Sequence, residues 1–163
     1  MTEPTRKGVQ DAQYFEDFAA GREYFSGPVI VHDDAILAFA RLYDPQPFHT
    51  DPEQAAETIF EGLISSGWQA LSETFAKSVK EGFLRAGGVS NEGLEDLRWL
   101  KPVRPGDAIH LQFNVVETAP DDVDPDRGRV TFDVLALNQD EEVVMSYRLR
   151  VIVRRRIARM RQG

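Results

Sequence analysis

A chain of 163 residues with a net charge of −8 and no cysteine fits one ordinary globular domain, and it excludes disulfides, thiolate nucleophiles and cysteine-bound zinc. The acidic balance argues against general binding to nucleic acid. Residues 1–13 are polar and no apolar run elsewhere approaches spanning length, so the sequence predicts no signal peptide, no membrane anchor and a cytoplasmic protein.

The chain divides into three predicted regions. Residues 1–13 are expected to be a disordered N-terminal segment, residues 14–156 a single domain, and residues 157–163 a basic C-terminal tail. Seven arginines follow Tyr147 without an acidic residue. They are interpreted as a solvated strand end and terminus rather than as a contact for phosphate or RNA.

Helical patterns occupy the first half of the domain. A first helix, with apolar residues at helical spacing, is predicted to end at Asp44, because Pro45 disfavours α geometry in the residue before it. Asp51 is predicted to cap a second, short helix that begins at Pro52.

A long helix is predicted to follow Ser66, which with Gln69 has the spacing of a capping box, and to end at Gly87 and Gly88. Its apolar residues recur at steps of three or four: Trp68, Leu71, Phe75, Val79 and Phe83. The aromatic members of this set are expected in the core rather than against a cofactor.

The second half of the domain has the patterns of successive strands. Strand-like or alternating segments lie at 97–100, 109–115, 130–134 and 143–153, with turns or loops at 102–107, 119–128 and 138–142. Several strands in succession after helices predict an antiparallel sheet wrapped around the long helix, which is an α+β layout.

Three residues carry the candidate chemistry. Asp44 and His49 are five positions apart with two prolines between them, so a carboxylate and an imidazole leave one stiff turn that can hold a water molecule. If a cap at Ser66 begins the long helix, the N–H of Gly67 has no acceptor inside the helix and suits a developing oxyanion. Taken alone, these residues also fit a helix-end acid, a loop histidine and a packing glycine. Neither metal-ligand spacing nor a phosphate-binding glycine loop is present, so no metal or nucleotide cofactor is expected.

The segment YDPQPFH at 43–49, followed by Gly67 at the start of a helix, resembles the MaoC-like acyl dehydratase family, which includes (R)-specific enoyl-CoA hydratases. Further similarities are FEDF at 15–18 ahead of Gly21, FAR at 39–41 and KPVRPGD at 101–107. The resemblance covers about residues 14–153.

The resemblance implies a hot-dog fold, a homodimer or higher homo-oligomer, and an acyl thioester bound in a tunnel at the subunit interface. It implies that Asp44 and His49 hold the water that adds to C3 of a trans-2-enoyl thioester, while the N–H of Gly67 binds the thioester oxygen. The expected enzyme is a lyase of fatty acid metabolism that forms a (3R)-hydroxyacyl product. Its partner is acyl-CoA or acyl carrier protein, so the coenzyme A thioester is a substrate and no cofactor is expected.

Two positions depart from a common family pattern. Gln46 stands where Asn is common, and Ser66 stands where His often precedes the oxyanion glycine. These departures concern pocket shape, acyl length and subfamily, and they leave all three proposed catalytic groups in place. A hot-dog acyl-CoA thioesterase and a non-catalytic acyl-CoA binding protein are the alternative functions.

Overall fold

The computed structural model describes residues 7–156, whose first half contains short strands and four α-helices. These elements are β1 (Lys7–Gly8), β2 (Glu23–Phe25), β3 (Val29–Ile30), α1 (Asp33–Tyr43), α2 (Pro47–Thr50), α3 (Pro52–Ala56) and α4 (Gly67–Lys80). Four long strands follow, namely β4 (Gly88–Trp99), β5 (Ala108–Pro120), β6 (Arg127–Leu137) and β7 (Val143–Arg154).

The seven strands of the described residues form one sheet with the order β1-β2-β5-β6-β7-β4, and β3 also pairs with β5. All pairings are antiparallel except that of β1 with β2. The sheet packs against α4, and the predicted α+β hot-dog fold is confirmed. Strand β4 forms an edge of the sheet and carries three irregularities in its register with β7.

The core lies between the helices and the inner face of β5, β6 and β7. The alternation predicted for these strands is confirmed, since every second side chain is buried: Ile109, Leu111, Phe113, Val115, Val130, Phe132, Val134, Met145, Tyr147, Leu149, Val151 and Val153. These buried side chains form one core cluster with Ala70 of α4 and with Leu63 of the segment before it, and so position both.

The long helix α4 differs from its prediction in two ways. It ends at Lys80 rather than near Gly87, because the chain turns through Gly82, whose φ is +112°. Phe83 is buried as predicted but lies beyond the helix, with its ring centroid 4.4 Å from that of Phe113.

The buried face of α4 is composed of small and polar residues, namely Gln69, Ala70, Thr74 and Ser78. Thr74 donates a hydrogen bond to the carbonyl of Ala70 at 2.7 Å, so its hydroxyl is satisfied within the helix. The prediction that Trp68 belongs to the core is wrong, since 53% of its surface is exposed. The apolar stripe of α4 therefore lies partly at the surface.

The prediction of disorder at the N-terminus is wrong for residues 7–13. Strand β1 pairs with β2, and Val9 and Ala12 are fully buried. The carbonyl of Ala12 also accepts a hydrogen bond from the N–H of Leu84 at 3.0 Å. Two apolar residues in a polar run are enough to order the segment once the sheet supplies their partners. Residues 1–6 and the predicted tail at 157–163 lie outside the described residues.

Candidate active site

Asp44 lies at the end of α1 and His49 lies in the short helix α2, and the proline-rich turn joins these two helices. Asp44 directly follows α1, as predicted, and its N–H donates to the carbonyl of Ala40 at 2.9 Å. The turn is more regular than expected, because Pro47 begins the one-turn helix α2, which carries His49. Proline tolerates this position because the first N–H of a helix needs no partner within it.

The imidazole of His49 is held on both sides. Its Nδ1 lies 2.8 Å from the carbonyl oxygen of Ile64, and its Nε2 lies 3.3 Å from Oδ2 of Asp44. A carbonyl oxygen only accepts hydrogen bonds, so Nδ1 carries a hydrogen and Nε2 faces the carboxylate. Only 6% of the His49 side chain is exposed, so this geometry is enclosed by protein.

The carboxylate of Asp44 accepts two further hydrogen bonds. Gln46 Nε2 donates to Oδ1 at 2.8 Å, and the hydroxyl of Ser66 donates to Oδ2 at 2.7 Å. Burial raises the pKa of Asp44, but hydrogen bonds from Gln46 and Ser66 together with the charge of His49 outweigh it, so the pKa lies below the usual value for aspartate. The group is therefore held in its ionised form.

Gly67 is the first residue of α4, and no acceptor among the described residues binds its N–H. Ser66 caps the helix, since its Oγ accepts a hydrogen bond from the N–H of Trp68 at 3.3 Å. The predicted capping box is absent, because the Gln69 side chain bonds instead to Ser65 Oγ and Glu73. The free N–H thus lies at the positive end of the helix dipole, as expected.

One cavity of about 390 Å³ brings Asp44, His49 and Gly67 together. Its remaining walls are largely apolar and include Phe48, Phe60, Ile64, Trp68, Trp99 and Met145. The segment before α4 is fixed from two directions, since Ile64 N–H donates to the carbonyl of Phe48 and Ser65 N–H to that of Val103. These bonds set the helix N-terminus against the proline-rich turn.

Sequence reasoning missed several residues of this site. Gln46 attracted notice only as a departure from a family pattern, and Ser66 only as such a departure and as a helix cap, although both donate hydrogen bonds to Asp44. Trp99 and Ile64 carried no signal, since they reach the cavity through strand pairing and a loop contact rather than through local spacing. Apolar walls of this kind are visible only in the folded chain.

Between residues 7 and 156, no group of three or more histidine, aspartate or glutamate side chains is arranged to hold a metal ion. In the same part of the chain, no helix is both long and apolar enough to cross a bilayer. The acid/base pair, the free N–H of Gly67 and the apolar walls are the features of the cavity on which we base its function.

Comparison with known proteins identifies relatives across most of the chain. The family model described as MaoC like domain matches residues 17–137. The uncharacterized protein YdeM of Bacillus subtilis is 32% identical over 143 residues, which are 86% of this chain and 98% of YdeM. The crystal structure of a MaoC-like dehydratase from Rhodospirillum rubrum is 37% identical with a TM-score of 0.81, covering 89% of this chain and 99% of that one.

A shorter match links the chain to a protein with a named reaction. Mesaconyl-CoA hydratase of Cereibacter sphaeroides is 38% identical over 87 residues, which are 53% of this chain and 24% of that protein. The chain thus corresponds to about a quarter of that hydratase.

Proposed function

Because the chain belongs to the MaoC-like domain family, we propose that it is a hydro-lyase that adds water to, or removes it from, the 2,3 double bond of an enoyl thioester. The observation that carries this proposal is the meeting of Asp44, His49 and the free N–H of Gly67 in one largely apolar cavity. Such a cavity offers a base for water, a proton for carbon and a donor for a developing oxyanion.

In the proposed reaction, Asp44 and His49 hold a water molecule and the pair takes one of its protons. The water oxygen forms a bond to C3, and the electrons of the double bond move to the thioester oxygen, where the Gly67 N–H stabilises the enolate charge. The pair then returns a proton to C2, so its protonation state is restored. Protonation of C2 by either residue is consistent with the 3.3 Å contact between them.

We further propose that the substrate is a trans-2-enoyl-CoA and the product a (3R)-hydroxyacyl-CoA, with an acyl carrier protein thioester as the other candidate substrate. The hydration of a CoA thioester by the named relative from Cereibacter sphaeroides supports this choice. We also propose that the protein is cytoplasmic, because a chain without cysteine fits a reducing compartment.

The test is incubation of the purified protein with crotonyl-CoA, following loss of the enoyl thioester and resolving the two 3-hydroxybutyryl enantiomers by chiral chromatography. The proposal predicts formation of the (3R) product. Release of free CoA from saturated and unsaturated acyl-CoA alike would instead identify a thioesterase. Tight binding of acyl-CoA without turnover would identify a non-catalytic binding protein.

A homodimer is part of the proposal, because α4 and the edge strand β4 expose apolar side chains together. Val79 on α4 and Val89 on β4 are 46% and 41% exposed, and the described residues supply no second neighbour for β4. We expect light scattering at micromolar concentration to give a dimer, and Val89→Lys to weaken it. Val123→Lys, in the loop between β5 and β6, is the control. A strictly monomeric wild-type protein would contradict the proposal.

A further inference from the structure

A second cavity of about 330 Å³ lies farther along α4, β4 and β7, which also line the first cavity. Its walls include Leu71, Phe75, Leu94, Tyr147 and Leu149. Along α4 the walls pass from Trp68 to Leu71, along β7 from Met145 to Tyr147, and along β4 from Trp99 to Leu94. The two cavities therefore lie one after the other between the helix and the edge of the sheet.

Trp99 lines the first cavity and is the β4 residue of that cavity nearest to Leu94, where the β4 wall of the second cavity ends. In the sheet it pairs with Met145, and its indole packs directly on Gly67, where an added Cβ would lie 2.2 Å from the indole Nε1. Its ring also contacts the ring of Trp68 edge-on, with centroids 5.1 Å apart. The two indoles therefore reach from β4 to α4 beside the candidate oxyanion donor.

The second cavity is suited to an aliphatic chain. The side chains of Leu71, Phe75, Leu94 and Leu149 give it mainly apolar walls, and each methylene that leaves water for such walls favours binding. A chain that starts from a thioester held at Gly67 and runs along α4 toward this cavity would pass the indole of Trp99.

We propose that Trp99 is a specificity-determining residue that restricts the enzyme to short enoyl groups, and that its removal opens the second cavity to longer aliphatic chains. This inference rests on the proposed function for the identity of the substrate. The blocking position of Trp99 is independent of the chemistry performed at Asp44 and His49.

The test compares kcat/KM for crotonyl-CoA and trans-2-octenoyl-CoA in the wild type, Trp99→Phe and Trp99→Ala. We expect the wild type to prefer crotonyl-CoA, and Trp99→Ala to shift the ratio toward octenoyl-CoA by roughly tenfold or more, with Trp99→Phe in between. Leu94→Trp, added to Trp99→Ala, refills the second cavity and should cancel the shift. Val116→Ala is the matched control, because Val116 is similarly exposed and lines neither cavity.

A binding measurement separates this inference from the proposed function. Calorimetric titration with butyryl-CoA and octanoyl-CoA needs no turnover, and Trp99→Ala should shift the ratio of their dissociation constants in the same direction. If the wild type hydrates no enoyl-CoA while this ratio still shifts, the proposed reaction fails and the role of Trp99 stands. If hydration occurs but the kcat/KM ratio and the ratio of dissociation constants are both the same in wild type and Trp99→Ala, the role of Trp99 is overturned. A wild type that turns over octenoyl-CoA as well as crotonyl-CoA overturns it too.

Discussion

Nε2 of His49 lies 3.3 Å from Oδ2 of Asp44, so the two side chains face each other as one acid/base unit. Because Nδ1 of the ring donates to the carbonyl of Ile64, a proton gained by the ring goes to Nε2, on the side of the carboxylate and the cavity. The backbone contact thereby fixes the direction in which His49 exchanges protons.

Replacing His49 tests whether this unit acts in turnover. We expect His49→Ala to lower kcat by roughly a hundredfold to ten-thousandfold, the usual contribution of a positioned acid or base. The control is His110→Ala, because His110 lies outside the cavity and its nearest acidic partner is Glu141 at 3.9 Å. Steady-state kinetics of both variants with crotonyl-CoA measure the difference. Similar losses in the two would remove His49 from the mechanism.

The pH dependence of activity follows from the lowered pKa of Asp44. Its ionised form persists below the usual aspartate range, so the acid limb of kcat/KM should lie at correspondingly low pH. Gln46→Ala removes a hydrogen bond to the carboxylate, raises the pKa and should move that limb to higher pH. Ionisation of Asp44 also stabilises the fold, because the pKa of Asp44 is lower in the folded state than in the unfolded state. This contribution to the free energy of unfolding is present above the unfolded pKa and is lost as pH falls through the folded pKa.

Gln54→Ala is the matched control for this shift, because Gln54 donates to Asp51 at 2.7 Å in the same way but outside the cavity. Its pH profile should match that of the wild type. An acid limb that is unchanged in Gln46→Ala would show that the ionisation of Asp44 does not control activity.

Replacing Gly67 tests whether the close contact between the N-terminus of α4 and Trp99 matters for activity. Gly67→Ala retains the N–H but places a Cβ 2.2 Å from the indole, so either the ring or the backbone must move. We expect reduced kcat/KM for crotonyl-CoA, and a smaller relative loss when Trp99→Ala is already present, since neighbouring residues couple. In Gly93→Ala the added Cβ meets nothing within 4 Å, which controls for the loss of a glycine. Equal losses in both Trp99 backgrounds would refute the steric account.

The hydroxyl of Tyr147 makes a prediction about stability. It is buried without a hydrogen-bond partner among the described residues, and burial raises the pKa of the phenol. Removing an unsatisfied buried group relieves a desolvation cost, so Tyr147→Phe should raise the free energy of unfolding by about 1 kcal/mol.

Tyr24→Phe is the comparison for Tyr147→Phe, because the hydroxyl of Tyr24 donates to the carbonyl of Asp17 at 2.6 Å. Its loss should lower the free energy of unfolding by about 1 kcal/mol. Urea denaturation of the two variants measures both changes. Greater destabilisation by Tyr147→Phe than by Tyr24→Phe would mean that the Tyr147 hydroxyl has a partner in solution.

Local chemistry in the sequence predicted much of this molecule. The end of α1 at Asp44, the cap at Asp51 and the start of α4 at Gly67 follow from proline geometry and capping, which act within a few residues. Period-two alternation predicted the buried face of β5, β6 and β7, since strand burial depends directly on that spacing. The meeting of Asp44, His49 and Gly67 in one cavity was also expected.

The features that the sequence did not predict depend on long-range packing. Trp68 has the spacing of a core residue, but the face of α4 that contacts the sheet is the one carrying Ala70 and Thr74. Val9 is buried only because β2 pairs with the strand before it. The position of Trp99 over Gly67 depends on the register of β4 with β7, which no local pattern specifies.

The central claim is that the carboxylate of Asp44 takes part in water addition to an enoyl thioester. The most direct test is the rate of crotonyl-CoA hydration by the wild type and by Asp44→Asn, which keeps the size of the side chain and removes its basicity. We predict that Asp44→Asn lowers kcat/KM by roughly a hundredfold to ten-thousandfold while the protein remains folded. Equal rates in the two proteins would contradict the proposed mechanism.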